Sequence, residues 1–320
     1  VNTPDRPLDE ATRLDTLRAL AVLDTPREER FDRLTRLTAR LLRVPMAAIG
    51  FMDAQREWFK SGVGLVAREA PRSASFGAHA ILAPDLLVVP DSHADARFTD
   101  PAAMLGQAPV RFYAGQPLRA ENGAALGALA IFDHDPRGLD ADERQLMRTL
   151  AALVERELRS ADGQTIDPLT GISNRRGFLA LAPPCLSYCA RHDIATTLVL
   201  FALDTPGLGD GHQPPDGAAE LAITTFAETL RGTFRESDAY ARLEGALFVL
   251  LLTRTDPRGA ECGLRRLRAR IEQENAQLPV EAQIDFEAQV FAFDPARFNT
   301  VEALLADARR RLYHARRHPR

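Results

Sequence analysis

The sequence predicts two mixed α/β units in series, an α+β unit followed by an α/β unit, and three observations predict it. Strand-like runs cluster between residues 46 and 133, with helical periodicity before and after them. A polar stretch with Gly and Pro, SADGQTIDPLTG (160–171), interrupts the pattern. Beyond it, helices and apolar strands alternate to the end. At 320 residues the chain has room for two domains of ordinary size, and 45% hydrophobic with 26% charged residues is a globular composition.

In the first half Leu14, Leu17, Leu20 and Leu23 recur at a helical step, and Phe31, Leu34, Leu37 and Leu41 follow in a second helix. The runs 46–53, 57–63, 86–91, 110–120 and 125–133 read as strands, and Glu121-Asn122-Gly123 between the last two is a hairpin turn. A helix over 139–160 carries Leu146, Leu150, Val154 and Leu158 on one face. It either packs only on its own domain or also pairs with a second copy, although a sustained heptad is absent. In the second half we expect helices at 174–192, 218–237, 258–277 and 300–318 and strands at 195–204 and 285–294. A strand pair in ARLEGALFVLLL (241–252) turns at Glu244-Gly245, and the loop TPGLGDGHQPPDG (205–217) is rich in Gly and Pro. The resulting partition is 1–160, a linker at 161–166, and 167–320.

A formal net charge of −4 gives no broad pull toward nucleic acid or anionic lipid. Lys60 is the only lysine, so arginine carries nearly all the positive charge. Cys185, Cys189 and Cys262 form no metal-ligand pattern, and the odd count fits a reducing compartment. No apolar signal segment opens the sequence, and no run approaches the roughly 18 apolar residues of a membrane span. The expectation is a cytoplasmic protein with neither membrane nor nucleic acid as partner.

Three stretches of the second half are similar to the GGDEF family of diguanylate cyclases. DPLTGISNRRGF (167–178) resembles the family's opening D-x-L-T-G-L-x-N-R-R. RESDAYARLEGALFVLLL (235–252) resembles R-x-x-D-x-x-x-R-Y-G-G-D-E-F and the strand after it, and ADARRRLYHARRHPR (306–320) resembles the closing motif. The first half resembles a GAF domain over about 8–160, through the stretches 23–53, EWFKSGVGL, VVPDSHADARF, RFYAGQPLR and NGAALGALAIFD. The resemblance implies a GAF fold, an antiparallel sheet flanked by helices, and then a GGDEF fold. The latter is a central sheet with helices on both faces and a β-hairpin at the active-site position.

Diguanylate cyclases join two GTP molecules into cyclic di-GMP, each 3′-hydroxyl attacking an α-phosphorus with loss of pyrophosphate. Divalent metal neutralises the charge, and magnesium wants carboxylate oxygens. In the family the hairpin turn supplies one or two of them. Here the five letters become Glu244, Gly245, Ala246, Leu247 and Phe248. Ala and Leu neither ligate metal nor act as bases, so the resemblance implies an emptied active site with no metal and no catalytic residue. Glu244 lies two residues before position 246, on the same strand face, so rescue of a ligand position by Glu244 stays open. The other family carboxylate, at the end of the first strand, falls on Ala202 or Asp204. The guanine-binding Asp aligns with Glu220, and Arg316 stands at a phosphate-binding lysine.

Arg235 and Asp238 occupy the family's R-x-x-D site, which binds cyclic di-GMP away from the active site, and Arg266 matches an arginine it often adds. Arginine forks onto guanine O6 and N7, and aspartate accepts from guanine N–H groups. The structural alternative is a helix end that merely favours Arg. In the GAF half, Trp58, Phe76, His79, Phe98, Arg111 and Tyr113 are candidates for a pocket lining, with Arg111 or His79 bonding Asp91 or Asp95 as the structural alternative. Gly77 and Ala130 replace cysteines common in this GAF subgroup, so thiol sensing is not expected. The expected function is a signalling protein that requires no cofactor. Its GAF domain has no ligand named by the sequence, and its inactive GGDEF domain binds cyclic di-GMP. The alternative is an interaction or dimerisation module without nucleotide, with a homodimer through the connecting helix or a protein partner.

Overall fold

The computed structural model describes residues 5–98, 109–159, 164–204, 217–235, 238–298 and 300–317, with side chains described as far as 312. The loop expected at 205–217 therefore lies outside the described residues but for Gly217, as do linker residues 161–163 and the Arg316 side chain. The chain divides into two compact units, Val1–Gly163 and Gln164–Arg320.

The first unit runs α1 (Glu10–Ala19), α2 (Glu29–Leu42), β1 (Met46–Met52), β2 (Arg56–Val63), β3 (Glu69–Pro71) and α3 (Phe76–Ala80). Then come β4 (Leu87–Val89), β5 (Phe112–Arg119), β6 (Ala125–Asp133) and α4 (Ala141–Arg159). The six strands form one antiparallel sheet in the order β3-β2-β1-β6-β5-β4. β1 is buried at every position, which is why it reads as a continuous apolar run. The α4 face of Leu146, Leu150 and Val154 is spent within this unit, where α4 contacts α2, β5 and β6. Glu157 of α4 pairs with Arg33 of α2 at 2.7 Å, both side chains buried. Lys60 is buried too, its ammonium donating to the Pro26 carbonyl at 2.7 Å and paired with Glu28.

The second unit runs β7 (Ser173–Asn174), α5 (Arg175–Arg191), β8 (Thr196–Asp204), α6 (Ala218–Thr233), β9 (Ala239–Glu244) and β10 (Leu247–Thr253). It ends with α7 (Pro257–Asn275), β11 (Asp285–Ala292) and α8 (Val301–Arg317). Its five strands take the order β11-β8-β10-β9-β7, antiparallel except for the β7–β9 pair. Phe201, Phe248 and Phe286 on one sheet face meet Phe226 of α6 and Leu267 of α7 in a single core. Alternation sends Leu200, Val249 and Leu251 to the other face, where α5 and α8 lie against the sheet. α5 stays helical through Pro183 and Pro184, although each proline removes a backbone donor.

Several element ends differ from expectation by a few residues, and two of these differences shape the sites. α6 stops at Thr233 rather than 237, because Phe234 turns extended (ψ 167°) and lies on Gly263, where an added Cβ would come within 2.5 Å of its ring. The hairpin turn is Gly245-Ala246, one residue later than expected. Glu244 pairs with Leu247, and Gly245 takes the left-handed φ of 49° that a two-residue loop needs.

The D-P-L-T-G stretch proves to be architecture. The Asp167 carboxylate accepts from Thr170 N (3.0 Å) and Thr170 Oγ1 (2.7 Å), and from Arg242 Nη1 at 3.2 Å. Arg242 Nε in turn donates to the Gly245 carbonyl at 2.8 Å, so the entry turn clamps the hairpin. Asn174 caps α5 by accepting from Gly177 N at 2.9 Å. Asp167→Ala strips the half-buried Arg242 of its partner. It is expected to cost the second unit about 2 kcal/mol, read as an earlier far-ultraviolet melting transition. The fluorescence transition of Trp58, the only tryptophan and a first-unit residue, is expected to stay in place.

Candidate functional site

The side chains at the hairpin are apolar or already engaged. Leu247 and Phe248 are buried, Ala246 packs against the core, and the Glu244 carboxylate pairs with Arg309 of α8. Ala202 of β8 lies directly opposite Leu247, with Glu287 of β11 on its other side. Asp204 is exposed at the end of β8, opposite Asp285. Glu220 is exposed in the first turn of α6. Among the described residues no three His, Cys, Asp or Glu side chains are grouped to hold a metal ion.

At the other end of β10 the chain builds a pocket of about 490 Å³ that brings Arg235, Asp238 and Arg266 together. It forms because α6 ends early and α7 passes close by. Phe234 fills the space over Gly263, and one turn further along α7 stands Arg266. Arg235 and Asp238 close a tight turn on themselves. Asp238 N donates to the Arg235 carbonyl at 2.9 Å, and Arg235 N donates to Asp238 Oδ2 at 3.1 Å. Asp238 is thereby buried, while the Arg235 and Arg266 side chains are exposed, and among the described residues neither guanidinium has an ion-pair partner. Arg254, between β10 and α7, and Asp256 also line the pocket. Neither stood among the sequence candidates; the signal was an arginine directly after an apolar strand.

In the first unit four of the six candidate pocket residues come together. Phe76 stacks on Tyr113 at 4.7 Å and leans on Phe98 at 4.6 Å, and His79 meets the Phe98 edge at 4.8 Å. Phe76, Phe98 and Tyr113 are fully buried and belong to the core beneath α3. Arg111 does not join them: it is partly exposed and bonds Asp91 at 2.6 Å. Trp58 lies under the Arg56 guanidinium, 5.2 Å from its ring.

A residue absent from the candidates lies in the same core. Glu57 is buried, and its carboxyl accepts from Ser75 Oγ and the Gly77 N–H. Burial pushes its pKa up to about 7, against the two donors that favour the charged form. Its carboxylate occupies the space over Gly77, where a Cβ would lie 2.3 Å from Oε1, so a cysteine does not fit there beside Glu57. Burial, and then the Glu57 charge, raise the Tyr113 phenol well above its usual range. Burial, and then Arg97, lower His79. The signal for Glu57 was its place two residues before Phe59 on a strand face that is otherwise core.

The family model described as "GAF domain" matches residues 26–158, and the one described as "Diguanylate cyclase, GGDEF domain" matches residues 164–320. The chain is a GAF domain followed by a GGDEF domain. A curated relative, "Cyclic di-GMP phosphodiesterase PA2567" of Pseudomonas aeruginosa, is 35% identical over 175 residues, which is 54% of this chain and 30% of that protein. The GAF–GGDEF chain thus spans under a third of that relative's length. Among solved structures, the GGDEF domain of DgcB from Caulobacter crescentus, in complex with c-di-GMP, covers 51% of this chain and 94% of its own. Its TM-score is 0.43 at 17% identity. The GAF domain of an Acinetobacter phosphoenolpyruvate-protein phosphotransferase covers 46% of this chain and 92% of its own, with a TM-score of 0.36 at 17% identity. Among the described residues no helix is long and apolar enough to cross a membrane.

The GAF domain is expected to lose stability as pH rises. Folding favours protonated Glu57, so its contribution is full below the ordinary 4.5 and is lost as pH climbs through about 7. The difference amounts to about 3 kcal/mol. Glu57→Gln is expected to flatten the pH dependence of the Trp58-monitored melting temperature between pH 5 and 8.

Proposed function

We propose that this is a signalling protein of the cyclic di-GMP system whose GGDEF domain receives the nucleotide rather than making it. The observation that carries the reading is the pocket of Arg235, Asp238 and Arg266, a fork for guanine, a carboxylate for its N–H groups and a cation for phosphate. The relative named a cyclic di-GMP phosphodiesterase supports the same pathway. The hairpin supports the loss of synthesis. Ala246 and Leu247 offer magnesium no side-chain oxygen, nor does Ala202 where it rather than Asp204 takes the first-strand position, and Glu244 is drawn to Arg309. On this reading the GAF domain senses a ligand or partner and the GGDEF domain is the responsive element, in the cytoplasm and without a required cofactor.

The bonds that Arg235 and Asp238 make to each other favour a second reading, in which R-x-x-D only shapes a turn and the domain is a docking or dimerisation module. Calorimetric titration of cyclic di-GMP separates the two. Binding near micromolar, about −8 kcal/mol, that Arg235→Ala abolishes is expected for a receptor, together with a ligand-dependent rise in melting temperature. No heat and no shift from a folded protein leaves the docking module. With GTP and magnesium no cyclic di-GMP is expected; its formation would sink the loss of synthesis. Restoring the acidic pair with Ala246→Asp and Leu247→Glu tests whether the turn alone blocks the chemistry.

A further inference from the structure

The strands at the edges of the two sheets are not alike. β3 and β4 have three residues each and β7 has two, lengths that leave little backbone for another chain to pair with. β11, the outer strand of the second sheet, has eight. Its register on β8 runs unbroken from Asp285 opposite Asp204 to Ala292 opposite Thr197, so no bulge bends it away. DFEAQVFA carries neither proline nor lysine, and Glu287, Ala288, Gln289 and Val290 are all half-buried.

The backbone groups along this edge divide by parity. Phe293 N donates to the Thr196 carbonyl at 2.8 Å, so the odd-numbered residues of β11 bond β8 and the even-numbered ones turn N–H and C=O outward. Phe286 finds side chains for both. Its N–H donates to Asp285 Oδ1 at 2.7 Å, and its carbonyl accepts from Arg268 Nη1 at 3.4 Å. Among the described residues the outward groups of Ala288 and Val290 have no protein partner.

We propose that β11 joins two copies of this chain edge to edge, antiparallel across a twofold axis at Gln289, so that their five-stranded sheets become one. Ala288 of each copy then exchanges both backbone bonds with Val290 of the other, which satisfies every outward group of the two residues. The side chains suit that register. On one face Ala288 and Val290 lie side by side, each packed against its own core. On the other face Glu287 stands opposite Phe291 of the second copy. The Arg311 guanidinium lies over Phe291, 5.5 Å from its ring. Arg311 shares the Asp307 carboxylate with Arg297 and Arg310, so an acid arriving there meets three guanidinium groups and one carboxylate. The two Glu287 carboxylates meanwhile stay four residues apart along the strands, about 14 Å. No β11 residue lines the Arg235 pocket, so the dimer stands or falls apart from the nucleotide reading.

The test is the solution mass of the full chain over a range of concentrations, beside Gln289→Lys. The unmodified chain is expected to rise from 35.2 kDa toward twice that mass. Gln289→Lys sets two ammonium groups directly opposite each other on the axis. It is expected to stay at the monomer mass with an unchanged melting temperature, because Gln289 bonds β8 through its backbone. Cross-linking checks the register in a Cys262→Ser background, which removes the exposed native thiol. Residues facing each other at a non-hydrogen-bonded position have Cα atoms about 4.5 Å apart, within disulfide reach. Gln289→Cys is therefore expected to cross-link under mild oxidant and Glu287→Cys is not. A chain that stays monomeric overturns the proposal. So does a dimer that Gln289→Lys leaves intact, or one in which Gln289→Cys cross-links no faster than Glu287→Cys, since its copies then meet elsewhere.

Discussion

The GGDEF domain hangs on the burial of β10. Its residues from Leu247 to Thr253 are all buried, with α6 and α7 over one face and α5 and α8 over the other. Because β10 is apolar on both faces, alternation alone does not set its register, which rests on the fit of its side chains to the layers above and below. Pairing with β8 in unbroken register, Leu247 with Ala202 through Thr253 with Thr196, fixes it further. The two places where chemistry is at issue sit at its ends: the hairpin just before Leu247, the Arg254 turn just after Thr253. About 20 Å of strand separates them. Side chains at one end can therefore change without disturbing the other.

That separation accounts for the uneven survival of the family's motifs. Residues that hold the backbone are present and occupied: Asp167 with Arg242, Arg242 with the Gly245 carbonyl, Asn174 on the first turn of α5. These contacts concern folding and are indifferent to whether a nucleotide ever reaches the hairpin. Ala246 and Leu247, by contrast, stand where the fold asks only for something that fits, and Leu247 answers by joining the buried set. A hairpin clamped from below needs no metal to keep its shape.

Legibility in the sequence followed the length scale of the signal. Long apolar runs such as 125–133 and 196–204 were placed to within a residue, because period and burial agree over many positions. The R-x-x-D residues are legible by resemblance, and Arg266 lines the same pocket. What escaped depends on packing between distant segments. The end of α6 is set by Phe234 meeting Gly263, twenty-nine positions on, and no helical period records that contact. Glu57 escaped for a related reason: a single carboxyl in the strand REWFKSGV looks solvent-facing until Ser75 and Gly77 fold over it. Arg111 shows the converse. The sequence makes it a candidate for an aromatic box, yet just before β5 it turns to pair with Asp91 instead.

The burial of Lys60 has a practical corollary. It is the only lysine in the sequence, and its side chain is wholly enclosed by Thr25, Pro26 and Glu28. The native surface accordingly offers amine-directed reagents no lysine at all. Acylation or reductive methylation at Lys60 requires the GAF domain to open between β2 and the segment before α2. The rate of that modification is thus a built-in clock for local opening, specific to one domain and needing no engineered probe.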